Sequence, residues 1–415
     1  MLEVTAMFSE YVESGHPLLA DGSRKISATF RLKNSNVTFA NALRRAILTM
    51  TPSVGFRTEP HEKSEVQISI NTTPLVNEMI AHRIGMIPIN IPDVAAFQPE
   101  FYEFRCDIKN TTSEMVDVRA GDIQVFKTNP EAPLEPSVQL DSKLFFPPDP
   151  VTGDTILITR LRPQWNPTAP KEQLAFKARA SVSNGMENIR WSPVCQSSYE
   201  YTLDQEPAHL KAVFEDWLLK NKKIADPATL PGEQLEALQR EFNTMEIQRC
   251  YLTDKEGNPN DFTFHVETIG VQSVQQIVGA AFQALEGLVS KYMDIDVSLP
   301  ESVAPIVADT RYAAIDVRFQ NEGHTLGNLL ESYIGYEHMT GVAEPRVSYV
   351  AYKVPHPLRP EMFVRVAINT TTDIEAMKLQ ALAVVANTCR TLKRICSQAG
   401  AEWEAMFVAP QAAVA

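Results

Sequence analysis

The chain has 415 residues, 44% of them hydrophobic and 21% charged, the balance of an ordinary folded protein with length for two or three domains. Thirty-eight basic against 51 acidic side chains leave a net charge of −13, which argues against a broad grip on nucleic acid, because such binding draws on Lys and Arg to displace counterions. No apolar run approaches the roughly 20 residues that span a bilayer, the first residues lack a secretory pattern, and the five cysteines form no CxxC pair, so an intracellular, soluble protein without a structural zinc site or disulfide framework is expected.

In chain order, residues 25–33 alternate Ile26, Ala28, Phe30 and Leu32 with polar neighbours and predict a half-buried strand. Asn34, Ser35 and Asn36 offer capping oxygens to a helix over 37–50, where Phe39, Leu43, Ala46, Ile47 and Met50 keep one apolar face. Pro52 ends it. A strand is expected at 63–70, then a short helix within 76–91 that stops near Gly85 before an extended Ile-Pro-Ile segment. From 92 to 204 the pattern turns to short strands and turns, and nine prolines between Pro130 and Pro170 mark a loop-rich, β-rich insert. Asn-x-Thr sequons at Asn36, Asn71, Asn110 and Asn369 carry no weight without a secretory signal.

Residues 206–245 are charged and helix-prone, with Trp217, Leu218, Leu235 and Leu238 as packing points. A strand over 262–270 leads into a long amphipathic helix at 272–293, carrying Ile277, Val278, Ala281, Phe282, Leu285 and Leu288 on one side. Two prolines and few large apolar groups predict a linker at 294–311. A strand at 312–320, a helix at 325–335, a hairpin at 346–369 and a helix at 373–398 with Met377, Leu382, Val385, Leu392 and Ile395 inward complete the chain.

The two ends follow the same order of elements. Thr38-Phe39-Ala40-Asn41-Ala42-Leu43 also matches Thr325-Leu326-Gly327-Asn328-Leu329-Leu330 in type at each position. Such a repeat implies two similar units packed about a pseudo-twofold axis with their long helices burying apolar faces on each other; two unrelated α+β modules are the alternative. The expected fold class is α+β. The first module takes residues 1–51 and 246–293 and is split by an insert at 52–245; the second, beyond the linker, takes 312–415.

The segments NVTFANALRRAIL (36–48) and NEMIAHRIGMIPI (77–89) resemble the signature of α-like RNA polymerase subunits, namely the bacterial α subunit, the archaeal D subunit and the eukaryotic third-largest subunit. MENIRWSPV (186–194) and FHVETIG (264–270) resemble D-type segments in the expected order, while NEGHTLGNLL (321–330) and YVAYKVPHPL (349–358) are similar to the archaeal L and eukaryotic eleventh subunits. Those two are ordinarily separate chains that heterodimerise. Their fusion resembles polymerases of some large DNA viruses of eukaryotes, which would place the protein in a host cytoplasmic viral factory and virion, or a nucleus.

The resemblance implies a non-catalytic assembly platform that pairs its own halves, an internal pseudo-heterodimer, and docks the second-largest and largest polymerase subunits; a regulator that borrows the α-like fold to bind polymerase transiently, or a stand-alone enzyme, is the alternative. It also implies small zinc-ribbon-type subunits as neighbours and nucleic acid met only through the complex, with no membrane. No Ser/His/Asp constellation, phosphate-cradling glycine loop, HExxH or DxDxD-like cluster supports catalysis or a cofactor. Many D-type relatives hold a metal on cysteines in the insert, but here Cys106 stands alone in that region, so no metal is expected. Where the family often has His before Ala-Lys-Trp, Asn188 precedes Ile189-Arg190-Trp191.

Arg44 and Arg45 diverge by about 100° on their helix. They serve either as solvated charge or, as the resemblance implies for at least one of them, as a contact to the second-largest subunit, for which the planar guanidinium is suited. Glu78 and His82 stand at i, i+4 on a short helix with Arg83; a surface pair or assembly contact outweighs a metal or acid–base site there. Leu43 belongs to the fold-defining motif, and Asn41 and Asn328 are expected to make a local cap or a side-chain bond to a neighbouring loop. Glu322, His324 and Thr325 are expected to cap the second short helix, and Tyr352, Pro355, His356 and Pro357 to shape a turn between strands.

Overall fold

A computed structural model describes residues 7–15, 25–128, 137–164, 166, 168, 171–224, 231–309, 312–340, 346–370 and 373–407. The architecture is mixed α/β. It begins with β1 (Phe8–Gly15), β2 (Lys25–Lys33) and α1 (Val37–Thr49). Asn36 caps α1 by accepting from the Phe39 N–H at 2.8 Å, which satisfies one of the orphan donors of the first turn. The helix buries Phe39, Ala40, Ala42, Leu43, Ala46 and Ile47 on the face its periodicity predicts.

The chain continues through β3 (Pro52–Gly55), β4 (Val66–Asn71), α2 (Asn77–Gly85), β5 (Tyr102–Lys109), β6 (Val116–Arg119), β7 (Gln124–Lys127), β8 (Val138–Leu140), the one-turn α3 (Ser142–Phe145), β9 (Leu157–Leu161), β10 (Gln173–Ala178) and β11 (Ser181–Asn184). A five-stranded sheet ordered β4-β10-β5-β7-β8 and α2 surround a core that includes Phe56, Ile80, Ile84, Phe104 and Phe176. Asn110 is buried here, its Nδ2 donating to the carbonyls of Glu114, Leu161 and Arg162.

After β12 (Val194–Tyr201), α4 (Pro207–Trp217) and α5 (Gly232–Met245) close a small core of their own around Phe214, Trp217, Leu218 and Phe242. Of the expected packing points, Leu235 and Leu238 lie half-buried against it. Next come β13 (Asp261–Thr268) and α6 (Val274–Ser290), the helix opened by Ser273 and Gln276 in a reciprocal cap. The remaining elements are β14 (Val303–Val307), β15 (Ile315–Gln320), α7 (His324–His338), β16 (Val347–Lys353), β17 (Glu361–Ile368) and α8 (Ile374–Ala405).

Two four-stranded antiparallel sheets share one connectivity. Their orders are β1-β2-β13-β12 and β14-β15-β17-β16. In each, an edge strand pairs with the strand that feeds a short helix (α1 or α7), and the next strand inward feeds a long one (α6 or α8). The helices α6 and α8 pack on each other, as do α1 and α7. A single continuous core runs through all of them, including Phe30, Phe264, Leu285, Phe319, Val385 and Trp403.

Three expectations need correction. Residues 194–201 were assigned to the 52–245 insert, yet β12 is an edge of the first sheet, paired with β13. Residues 294–311 were read as a linker, but Val303–Val307 form the edge strand β14 on β15; Pro305 is tolerated at an edge, where a missing N–H breaks no inner ladder. Residues 310–311 lie outside the described residues. Strand β1 was not expected. A register shift between Ser9 and Val12, with Glu10 at φ 58°, breaks the alternation, so Val12 faces solvent and Tyr11 packs on the core.

Candidate functional site

The matched motifs of the two short helices meet. Thr38, Asn41, Ala42 and Arg45 of α1 line one cleft of about 50 Å³ with His324, Thr325 and Asn328 of α7 and Tyr352 of β16. Arg45 crosses it, its Nε donating to the Thr325 hydroxyl at 2.8 Å. Arg44 turns back on its own helix, and its Nε and Nη2 donate to Asn41 Oδ1 at 3.1 and 3.0 Å. Among the described residues neither guanidinium has a carboxylate within ion-pair distance, so both present charge and donors that a carboxylate can meet bidentately. Asn41 therefore bonds locally to Arg44, three residues on, and not to a neighbouring loop. Leu43, next to Arg44 in sequence, is fully buried in the core.

Glu322 does not cap α7. The N-cap is Gly323, without a side-chain bond, and Glu322 instead accepts from the Tyr292 hydroxyl at 2.8 Å, with Lys291 Nζ at 3.4 Å. Burial, then the Glu322 carboxylate, raise the Tyr292 phenol above its ordinary range. His324 Nδ1 is 3.3 Å from the Tyr352 hydroxyl. Tyr352 lies on β16, not in the turn expected for it, and its ring covers Gly327 so closely that a Cβ on Gly327 would fall into it. Pro355, His356 and Pro357 do lie between β16 and β17, where His356 Nδ1 accepts from the Leu358 N–H at 3.1 Å.

Glu78, His82 and Arg83 are brought to a different surface. They are exposed on α2, which packs on β4 and β9, and Arg83 Nη2 donates to the Leu157 carbonyl at 2.9 Å. Val76, Met79 and Met86 are exposed at 54–56%, and with Arg83 their i, i+3, i+7, i+10 spacing forms one stripe along α2. No group of three or more His, Cys, Asp or Glu side chains suited to a metal ion occurs among the described residues, and no described helix is long and apolar enough to cross a membrane.

Residues that sequence reading passed over join the two units. Trp403, near the end of α8, is fully buried and packs edge-on against Phe8 and Phe30 of the first sheet, with centroids at 5.4 and 4.8 Å. In the other direction Tyr292, just past α6, packs edge-on against Phe319 of the second sheet at 5.0 Å. A glycine inside a helical pattern was the available signal for Gly327, since it forgoes helix propensity for close approach.

Two family models, both described as the RNA polymerase Rpb3/Rpb11 dimerisation domain, match residues 29–289 and 314–401. The first spans more than half of the chain, and the chain belongs to this family. Its relatives include DNA-directed RNA polymerase subunit Rpo3 of Pyrococcus furiosus, 26% identical over 277 residues that cover 62% of this chain and 88% of the relative. Subunit 3 of DNA-directed RNA polymerases II, IV and V of Arabidopsis thaliana is 25% identical over 293 residues, covering 62% and 84%. RNA polymerase II subunit RPB3 of Schizosaccharomyces pombe is 23% identical over 298 residues, covering 68% and 87%.

Proposed function

We propose that this chain is a non-catalytic assembly subunit of a multisubunit DNA-directed RNA polymerase, whose two α-like halves pair in cis about a pseudo-twofold axis. The observation that carries the proposal is the single core shared by both sheets and all four of α1, α6, α7 and α8, with Trp403 and Tyr292 exchanged between them. The shared strand connectivity supports two equivalent units. The separate core among residues 54–180 supports a β-rich insert splitting the first. Keeping both halves on one chain turns pairing into an intramolecular step with an effective concentration on the order of mM.

The second-largest and largest subunits dock on this platform. The α1/α7 cleft offers Arg45, α1 offers Arg44 beside it, and α2 offers Glu78, His82 and Arg83 beside its Val76–Met79–Met86 stripe. A mixed apolar and charged face of this kind is suited to subunit contact. Small zinc-ribbon-type subunits complete the neighbourhood, nucleic acid is met through the complex, and nucleotide addition takes place on other subunits. The double variant Arg44→Glu, Arg45→Glu tests the docking face: it folds but recovers less of the second-largest subunit. Loss of solubility instead would assign both arginines to the fold, and undiminished recovery would remove them from the interface.

A further inference from the structure

A second cavity lies away from the α1/α7 cleft. It has about 470 Å³ and is lined by Arg57, Glu59, Lys63, Glu187, Arg190 and Trp191, among others, a volume within the range of ligand sites. Three cations and two carboxylates line it, in a chain whose net charge is −13.

The cations are not equally answered. Arg57 is held bidentately by Glu187, with Nε–Oε1 at 2.7 Å and Nη2–Oε2 at 2.9 Å. The Arg190 side chain is only 4% exposed, yet that of its one carboxylate partner, Glu59 at 3.2 Å, is 58% exposed. Its Nη1 bonds the Thr58 hydroxyl, and its buried Nε has no hydrogen-bond partner among the described residues. A buried guanidinium answered by a hydroxyl and one solvated carboxylate is undercompensated. Its Nη1 lies over Gly85, in space that a Cβ there would occupy. Lys63 is exposed at the rim, where its charge reaches Glu187 without a contact ion pair among the described residues.

We propose that this cleft receives an acidic side chain, with its stretch of backbone, from another polymerase subunit; the inference rests on the assembly reading above. A carboxylate would add the missing charge beside Arg190 and Lys63. Glu59 and Glu187 would repel a phosphate dianion more strongly than a singly charged carboxylate, and the exposed Glu59 can accept from the backbone N–H groups of a peptide, so the mixed lining favours an acidic peptide over a phosphate ligand.

The test is a benzoylphenylalanine crosslinker in place of His61, on the rim between Pro60 and Lys63, in polymerase purified through the tagged full-length chain. The expected product joins the crosslinker at position 61 to an acidic segment of another subunit. Lys63→Glu should lower its yield by about two- to fivefold, the effect of one partly exposed charge pair. A product on nucleic acid, on a segment without acids or within this chain, or no product in a complex that retains the large subunits, overturns the proposal. If no large subunits are recovered at all, the assembly reading itself fails.

Discussion

The indole N–H of Trp403 donates to the main-chain carbonyl of Gln275 at 3.0 Å, so a residue at the end of one unit is a buried partner of the helix that closes the other. Helix α8 has 32 residues and spans about 48 Å at 1.5 Å per residue. That length lets it cover its own sheet and still deliver Trp403 to the first.

Trp403→Ala should therefore destabilise the whole chain by about 3–5 kcal/mol, the range for removing a buried large aromatic. Denaturant unfolding followed in both units should show one coincident shift. Two separated transitions, with only the second displaced, would contradict a shared core.

Gly327→Ala places a methyl group against the Tyr352 ring and should cost about 1–3 kcal/mol, as overpacking does. With Tyr352→Ala added, the loss should be smaller than the sum of the two single losses. Additive losses in thermal or chemical unfolding would show that the close approach does not limit this position.

Arg57 holds the Glu187 carboxyl down to about 2, chiefly by its hydrogen bond. A depressed carboxylate stabilises the fold above its unfolded value, and that contribution is lost as pH falls through the folded one. Between about 4.5 and 2 the wild type should lose an advantage over Glu187→Gln that it holds at pH 7. The pair is largely solvated, so the advantage is at most about 1 kcal/mol. Parallel stability–pH curves for the two proteins would refute this.

Burial pushes the thiols of Cys389 and Cys396 on α8 up to about 12, whereas Cys195 on β12 is exposed. At pH 7 a maleimide should label Cys195 in the native protein and reach Cys389 and Cys396 only on unfolding. Rapid native labelling of the α8 pair would mean that the α6–α8 seam opens readily.

Much of this was legible where local signals agreed. Asn36, the Phe39–Leu43–Ala46–Ile47 face and Pro52 define α1 from both ends, and the Thr-x-x-Asn repeat named both walls of the α1/α7 cleft. Strand β14 was hidden because Pro300 and Pro305 punctuate a short strand as they would a linker. Tyr352 was misplaced because Pro355 and Pro357 drew the turn toward it. The partners of Asn41 and Glu322 depend on which long side chain the fold brings within reach, Arg44 in one case and Tyr292 in the other. The burial of Trp403 comes from contacts with residues almost 400 positions earlier, beyond the reach of any periodicity.

The most direct measurement is affinity purification of the tagged full-length chain from its native source, with every copurifying chain identified and quantified by mass spectrometry. The account predicts both large polymerase subunits in equal amount to this chain, with no separate Rpb11-type chain. Recovery without the large subunits, or with a stoichiometric second Rpb11-type chain, would contradict it.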